Sequence, residues 1–376
     1  MENDIEIKEE KPRFSLDKKK ICKIASIVLP LLLILLSFAV VVYYILGPAE
    51  GYFHSDCTDT LLWAQASYDS GKLISDNFKY AALLPFGGNL LMLPFIPIFG
   101  VSMTTHNIGM VLFAVLFFLS LYALARSLGY NLAKTSFIIF AVTMVLSGSD
   151  KLREIMWGHI IYYSLGLLFL AFGLYLVNKT PCDRLLFADK THRAKDIVLM
   201  AGLFVFSALT ATNGIQSVVT YILPVVGALM LERIFAEKEE KPLMRTRWNN
   251  MLTLVAVFLA STIAGLLLLK LLSGDVQAGY ANAYSCYSGM NTWKDNLLKF
   301  GEWLSLIGVS VKDGDDLVSI ESIGNLIRIF TGIFILILPI IGACLYKKIE
   351  SRGAKLVLLA HFVQSALILF GYIFGR

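Results

Sequence analysis

Apolar runs of about 20 residues recur along the whole chain, and 24–46 and 251–272 show the pattern most plainly. Neither run alternates polar with apolar residues, so each reads as a helix. At about 1.5 Å per residue, about 20 residues cross a hydrocarbon core of about 30 Å. Inside a bilayer no water bonds the backbone, so only helices or a closed barrel are stable, and uninterrupted runs of this length exclude the barrel. Composition agrees: of 376 residues, 57% are hydrophobic and 16% are charged. That is too little charge to coat a soluble domain of this size. The chain is therefore predicted to be all-α, a polytopic membrane helical bundle.

About nine spans are expected, at 24–46, 104–126, 132–148, 159–177, 197–212, 215–234, 251–272, 323–345 and 356–375. The first is too long for a cleavable signal and no small-residue cleavage site follows it, so it reads as a signal anchor. Residues 1–23 form a basic tail, with Lys18, Lys19, Lys20 and Lys23 near the membrane and a stretch poor in apolar residues before them that is expected to be disordered. The joins predicted to share the N-terminal side carry Arg126, Lys134, Arg184, Arg193, Arg233, Arg247, Lys347 and Arg352, among others, whereas the opposite joins carry fewer basic groups. The positive-inside rule then places the N-terminus in the cytoplasm and puts the segments 47–103, 149–158 and 273–322 outside. The net charge of +5 follows from these joins and not from a nucleic-acid groove. A multi-pass protein of a bacterial plasma membrane is the expected localisation.

The first outer segment opens with His54-Ser55-Asp56-Cys57-Thr58-Asp59-Thr60. Ser55 or Thr58 can cap a short helix there and Gly71 can end it, giving a helix along the membrane surface with Leu61, Leu62, Trp63 and Ala66 on its apolar side. The apolar stretch 90–99 is too short to span and holds Pro94 and Pro97, so it is expected to be interfacial or re-entrant.

Carboxylates at a membrane boundary are the main candidates for chemistry. Asp56 and Asp59 share a helix face at i, i+3 and could serve as a general base, with or without a divalent metal. The competing reading is that they only complement a helix dipole. Glu154 with Arg153 could form the second half of a site, Arg153 holding a phosphate, or could sit in an ordinary solvated turn. Asp56, Glu154 and His159 are the metal-ligand candidates, with His54 on the same outer side. Lys270 and Arg328 could bind a lipid phosphate or merely snorkel to headgroups. Tyr284 and Trp293 lie in an outer stretch rich in Tyr, Asn and Ser, which suits sugar stacking as well as a generic aromatic belt. Asp313, Asp315 and Asp316 lack the later glutamate of a calcium loop and read as a solvated turn. Of the 5 cysteines, only Cys57 and Cys286 fall outside, where an oxidising compartment would allow a disulfide between them.

The order of elements resembles the GT-C membrane glycosyltransferases, a group that includes protein O-mannosyltransferases and the lipid A aminoarabinose transferase. The residues that carry the likeness are the acidic start at 54–60, the Pro-containing apolar stretch from Leu84-Pro85 to Phe99-Gly100, the exit Leu121-Tyr122-Ala123-Leu124-Ala125-Arg126-Ser127-Leu128-Gly129, and Arg153-Glu154-Ile155-Met156-Trp157-Gly158-His159. The likeness covers roughly 24–180; beyond that only the layout matches. The chain departs from the family in having Asp56 and Asp59 three apart rather than an Asp-Glu or Asp-x-Asp pair. It also stops directly after a span, as expected of a short member or of a sequence missing a C-terminal part.

The resemblance implies transfer of a sugar from a polyprenyl-phosphate carrier to a glycan, lipid or protein acceptor at the outer face, with inversion at the anomeric carbon. A lipid-linked donor arrives laterally, which agrees with the lack of any phosphate-binding glycine motif in a strand–helix context. The alternatives are a transporter or flippase of lipid-linked glycans, and a non-catalytic subunit of a membrane assembly. Span interiors nearly free of charge argue against the transporter, since transporters hold ionisable groups near the midplane.

Overall fold

The computed structural model describes residues 18–80, 83–236, 241–273, 286–311, 314, 316 and 318–375. Every long element among them is a helix: α1 (Lys18–Leu46), α2 (Ser55–Ser70), α3 (Asn89–Phe99), α4 (Met103–Ser127), α5 (Leu132–Leu146), α6 (Asp150–Gly158), α7 (Tyr162–Asn178), α8 (Arg193–Ala211), α9 (Ile215–Ile234), α10 (Lys241–Ser273), α11 (Met290–Leu298), α12 (Ile320–Cys344) and α13 (Arg352–Phe374). The N-terminal tail to residue 17, Tyr284, Asp313 and Asp315 lie outside the described residues.

Among the described residues, seven helices are long and apolar enough to cross a membrane: α1 from Cys22, α4, α8, α9, α10, α12 and α13. By length and composition the count is seven, or eight if α5 and α6, which meet at 112°, form one broken span, against about nine expected. The apolar run at 132–148 stops at Leu146 because Ser147-Gly148-Ser149 turns the chain, and α7 has only 17 residues. Both short helices still follow the alternation. α4 and α7 start together, where His106 bonds the Gly158 backbone, and end together, where Asn178 donates to the Ser127 carbonyl at 2.7 Å. α5 returns between those two levels. Later helices repeat the pattern: Asn213, after α8, exchanges hydrogen bonds with the Phe86 backbone beside α3, and Ser351, before α13, donates to Leu128 after α4. The bundle thus has one end carrying α2, α3 and α6, and an opposite end carrying the joins after α4, α7, α9 and α12.

The core is built from aromatic and aliphatic side chains of α1, α2, α4, α6, α7, α8, α9, α10 and α13, with Phe113, Phe117, Trp157, Tyr221 and Phe258 fully buried. Many large apolar groups on α1, α10 and α12 remain exposed. That is the pattern of helices whose outer faces meet lipid rather than water. α3 is short and broken at Pro94, as expected from its prolines.

Candidate functional site

The site begins where α1 stops. After Leu46 a single 3-10 turn, Pro48–Tyr52, leads to His54 in extended conformation, φ −141° and ψ −174°. His54, not Ser55 or Thr58, is the N-cap of α2: its Nδ1 accepts the backbone N–H of Asp56 at 3.2 Å. Gly71 ends α2 in the left-handed region as expected, φ 64°. The cap has a chemical consequence. An Nδ1 that accepts a hydrogen bond carries no proton, so in the neutral ring the proton sits on Nε2. That Nε2 lies 3.1 Å from Glu154 Oε1 and donates to it. One imidazole therefore links the start of α2 to α6.

Glu154 also receives Lys151, whose Nζ lies 2.9 Å from Oε1 and 3.1 Å from Oε2. Burial pushes the Glu154 carboxyl up, but the bonds and charges of Lys151 and His54 outweigh it and hold the group below the usual carboxylate range. The Lys151 side chain remains 58% exposed above it. Arg153 is tied inward: it pairs with Asp150, donates to the Ser147 carbonyl at 3.3 Å and lies over the Tyr44 ring at 5.5 Å.

Beneath this layer sit two buried histidines. His159 packs edge-on to His54 with ring centroids 5.7 Å apart, and its Nδ1 has no hydrogen-bond partner. Burial lowers its pKa, the nearby His54 lowers it further, and the charges of Glu154 and Asp56 oppose this. His106, on α4, packs edge-on to Phe53 at 5.0 Å, and its Nδ1 also lacks a partner. Trp157 closes the floor, donating to Ser147 Oγ at 3.0 Å.

Gly88 explains how α2, α3 and the segment after α6 come so close. A Cβ there would lie 2.6 Å from Ile160 Cβ and 2.8 Å from Thr60 Cγ2, so only glycine fits. On the other side the second loop docks onto the same turn. Ser149 caps α6, accepting from Leu152 N–H at 3.1 Å, while donating to the Leu306 carbonyl at 2.5 Å. Gly308, at φ 84°, would put a Cβ 2.9 Å from Ser149 Cβ.

Of the residues singled out from the sequence, Asp56, Arg153, Glu154 and His159 come together here. Asp56 is exposed at the first turn of α2, with only Ser55 Oγ near its carboxylate, at 3.4 Å, among its described hydrogen bonds. Asp59 lies one turn further along α2, where its charge acts on Tyr80. Lys270 is exposed near the end of α10. Arg328 donates to the Gly308 carbonyl at 2.9 Å, fastening the second loop. Trp293 lies against Phe374, ring centroids 5.0 Å apart. The expected Cys57–Cys286 bridge is not formed: Cys57 is a free thiol buried under α2, and burial pushes its pKa up. Three contributors were missed: His54 as the link, Lys151 as the exposed cation, and His106 as a second buried imidazole. Spacing gave a signal for Lys151, three residues before Glu154. The histidines needed the fold.

The group nearest to a metal site among the described residues is His54, Glu154 and His159, whose ligand atoms lie within 4.8 Å of one another; it replaces Asp56 by His54. These residues do not fit a divalent ion as they stand. Binding through His54 Nε2 would move its proton to Nδ1, against the Asp56 N–H that Nδ1 now accepts. The Lys151 ammonium already occupies both Glu154 oxygens. The arrangement is that of a hydrogen-bonded chain.

Comparison of the chain with family models, with curated proteins and with solved structures finds no match.

Proposed function

We propose that the chain is a membrane glycosyltransferase that moves a sugar from a polyprenyl-phosphate carrier to an acceptor hydroxyl. The observation that carries the reading is the cluster at one end of the bundle, where Asp56 stands open, Lys151 stands exposed, and His54 joins the helix that bears one to the turn that bears the other. The order of elements that resembles the GT-C group leads into this same place.

In this reading Asp56 is the base. Its carboxylate is exposed, whereas Glu154 is committed to Lys151 and His54. The acceptor oxygen attacks the anomeric carbon while its proton passes to Asp56. The bond from that carbon to the phosphate oxygen breaks, and the lipid phosphate departs with its charge facing Lys151. Arg153, held by Asp150 and Tyr44, positions the turn instead of meeting substrate. In this reading the end faces the outside of a bacterial plasma membrane with the N-terminus in the cytoplasm, which the basic bias of the opposite joins supports. Acceptor and donor both reach that depth without crossing the bilayer.

The test is transfer of radiolabelled sugar from a lipid extract by the purified protein. Wild type should transfer and Asp56→Asn should not, while both retain donor lipid. Transport of a lipid-linked glycan across vesicles without transfer would replace this reading by the flippase.

A further inference from the structure

One stripe of side chains on α4, made of Thr104, Asn107, Ile108, Val111 and Leu112, lines a groove with Leu46 at the last turn of α1. Spacings of three and four residues put the five on a single helix face. The groove holds about 300 Å³. Leu46 and Leu112, 56% and 37% exposed, leave it open to the side. It starts where α1 stops and α4 begins, at a boundary of the apolar layer, and follows α4 inward. Leu46, Ile108, Val111 and Leu112 make most of its wall apolar.

Two acceptors interrupt that wall at its boundary end. Asn107 is 8% exposed, and its Nδ2 donates to Glu50 Oε1 at 3.4 Å. Its Oδ1 is buried and has no hydrogen-bond partner. A dry amide carbonyl costs free energy until a donor reaches it. Glu50 stands exposed on the 3-10 turn after α1, and no Lys or Arg pairs with it among the described residues. His106, next to Asn107, turns instead to the Gly158 backbone, so the groove and the histidine cluster lie on different faces of α4. A ligand that matches the groove therefore carries a cationic donor at headgroup depth and an apolar chain below it. A primary ammonium on a diacyl lipid supplies both, and its three N–H donors can serve the carboxylate and the carbonyl together. A quaternary ammonium has the same charge and no N–H.

We propose that the groove between α1 and α4 binds a phospholipid with a primary ammonium headgroup, the ammonium between Glu50 and Asn107 and one acyl chain along Ile108, Val111 and Leu112. The site does not depend on sugar transfer at the cluster.

The full chain is placed in nanodiscs of phosphatidylethanolamine and phosphatidylcholine in equal amounts with matched acyl chains. Lipid retained after extraction is counted by native mass spectrometry. Wild type should retain phosphatidylethanolamine over phosphatidylcholine. Glu50→Gln, at an exposed position, should weaken that preference by about tenfold, the usual worth of a charge-assisted hydrogen bond. Val111→Trp, which fills the groove and leaves Glu50 in place, should remove it. Asp76→Asn, an exposed carboxylate that does not line the groove, should leave it unchanged. Equal retention of the two lipids by wild type, or a preference that survives both Glu50→Gln and Val111→Trp, would overturn the site. An equal loss in Asp76→Asn would also overturn it, because surface charge in general would then set the preference.

Discussion

The two ends of the bundle treat buried charge in opposite ways. At the opposite end Glu232 lies between Arg352 and Arg233, so its carboxylate is consumed by structure. At the cluster end Glu154 is held by one imidazole and one lysine that is itself 58% exposed, with two histidine Nδ1 atoms nearby left without partners. Buried polar groups are normally satisfied, and such exceptions call for an explanation. One end spends its ionic contacts on holding helices together. The other leaves buried imidazole nitrogens unpaired and a cation exposed.

The contrast predicts where mutations hurt. The largest effect belongs to Asp56→Asn, which should cost about 10²–10⁴ in transfer rate, the usual worth of a general base. Its thermal midpoint in detergent should hold, because an exposed first-turn acid contributes only a few tenths of a kcal/mol to about 1 kcal/mol. Full activity in Asp56→Asn with loss in Asp59→Asn would move the base to Asp59, and activity in both would remove the catalytic role from this motif. Glu232→Ala should do the converse. It leaves two guanidiniums without their shared partner and should cost about 3–5 kcal/mol of stability. Unfolding monitored by tryptophan fluorescence would show this. A Glu232→Ala protein as stable as wild type would break the comparison, since the pair would then be ornamental.

A third substitution separates two roles of one side chain. His54→Ala loses both the α2 cap and the Glu154 contact, whereas His54→Asn keeps an oxygen suited to capping. The cap is worth about 1 kcal/mol. His54→Asn should therefore recover most of the stability lost in His54→Ala but little of the activity, because Glu154 stays unlinked. If both variants lose activity equally little, the link between α2 and α6 does not matter to transfer.

The class of fold was legible because hydrophobic length is a local property. Runs such as 24–46 and 251–272 declare a helix wherever they are placed. The 132–148 run ends at Leu146, because Ser147-Gly148-Ser149 reads as a helix end only once α6 is seen to turn by 112°. In the site, Asp56 and Glu154 were legible from residue type and expected depth. His54 was not, since its role rests on a tautomer set by a cap at one ring nitrogen and a contact 100 residues away at the other. The Cys57–Cys286 expectation failed for the same reason: side of membrane says nothing about lateral position, and Cys57 faces inward from α2. The Glu232–Arg352 pair, 120 residues apart, had no local signature either.

The smallest expected effect is a local response to acid. His159 has its pKa lowered below the 6.5 of a free imidazole, chiefly by burial. A lowered histidine pKa means that the unfolded chain binds more protons just below pH 6.5 than the folded one does. The stability this contributes is present in full above pH 6.5 and is lost as pH falls from there through the folded value. Glu154, also lowered, gives up its contribution only at pH below 4.5. The window between these two values therefore reports the buried imidazole with little interference from its carboxylate neighbour. The opposite end offers a reference, because guanidinium groups keep their charge throughout. Hydrogen exchange of backbone amides in 156–161 should accelerate as pH drops from 7 to 5, after correction for the intrinsic rate, while amides around Glu232 should not. His159→Gln should flatten that response. An equal response at both ends would show that acid loosens the bundle as a whole, and the partnerless histidine would then have no special place in the site.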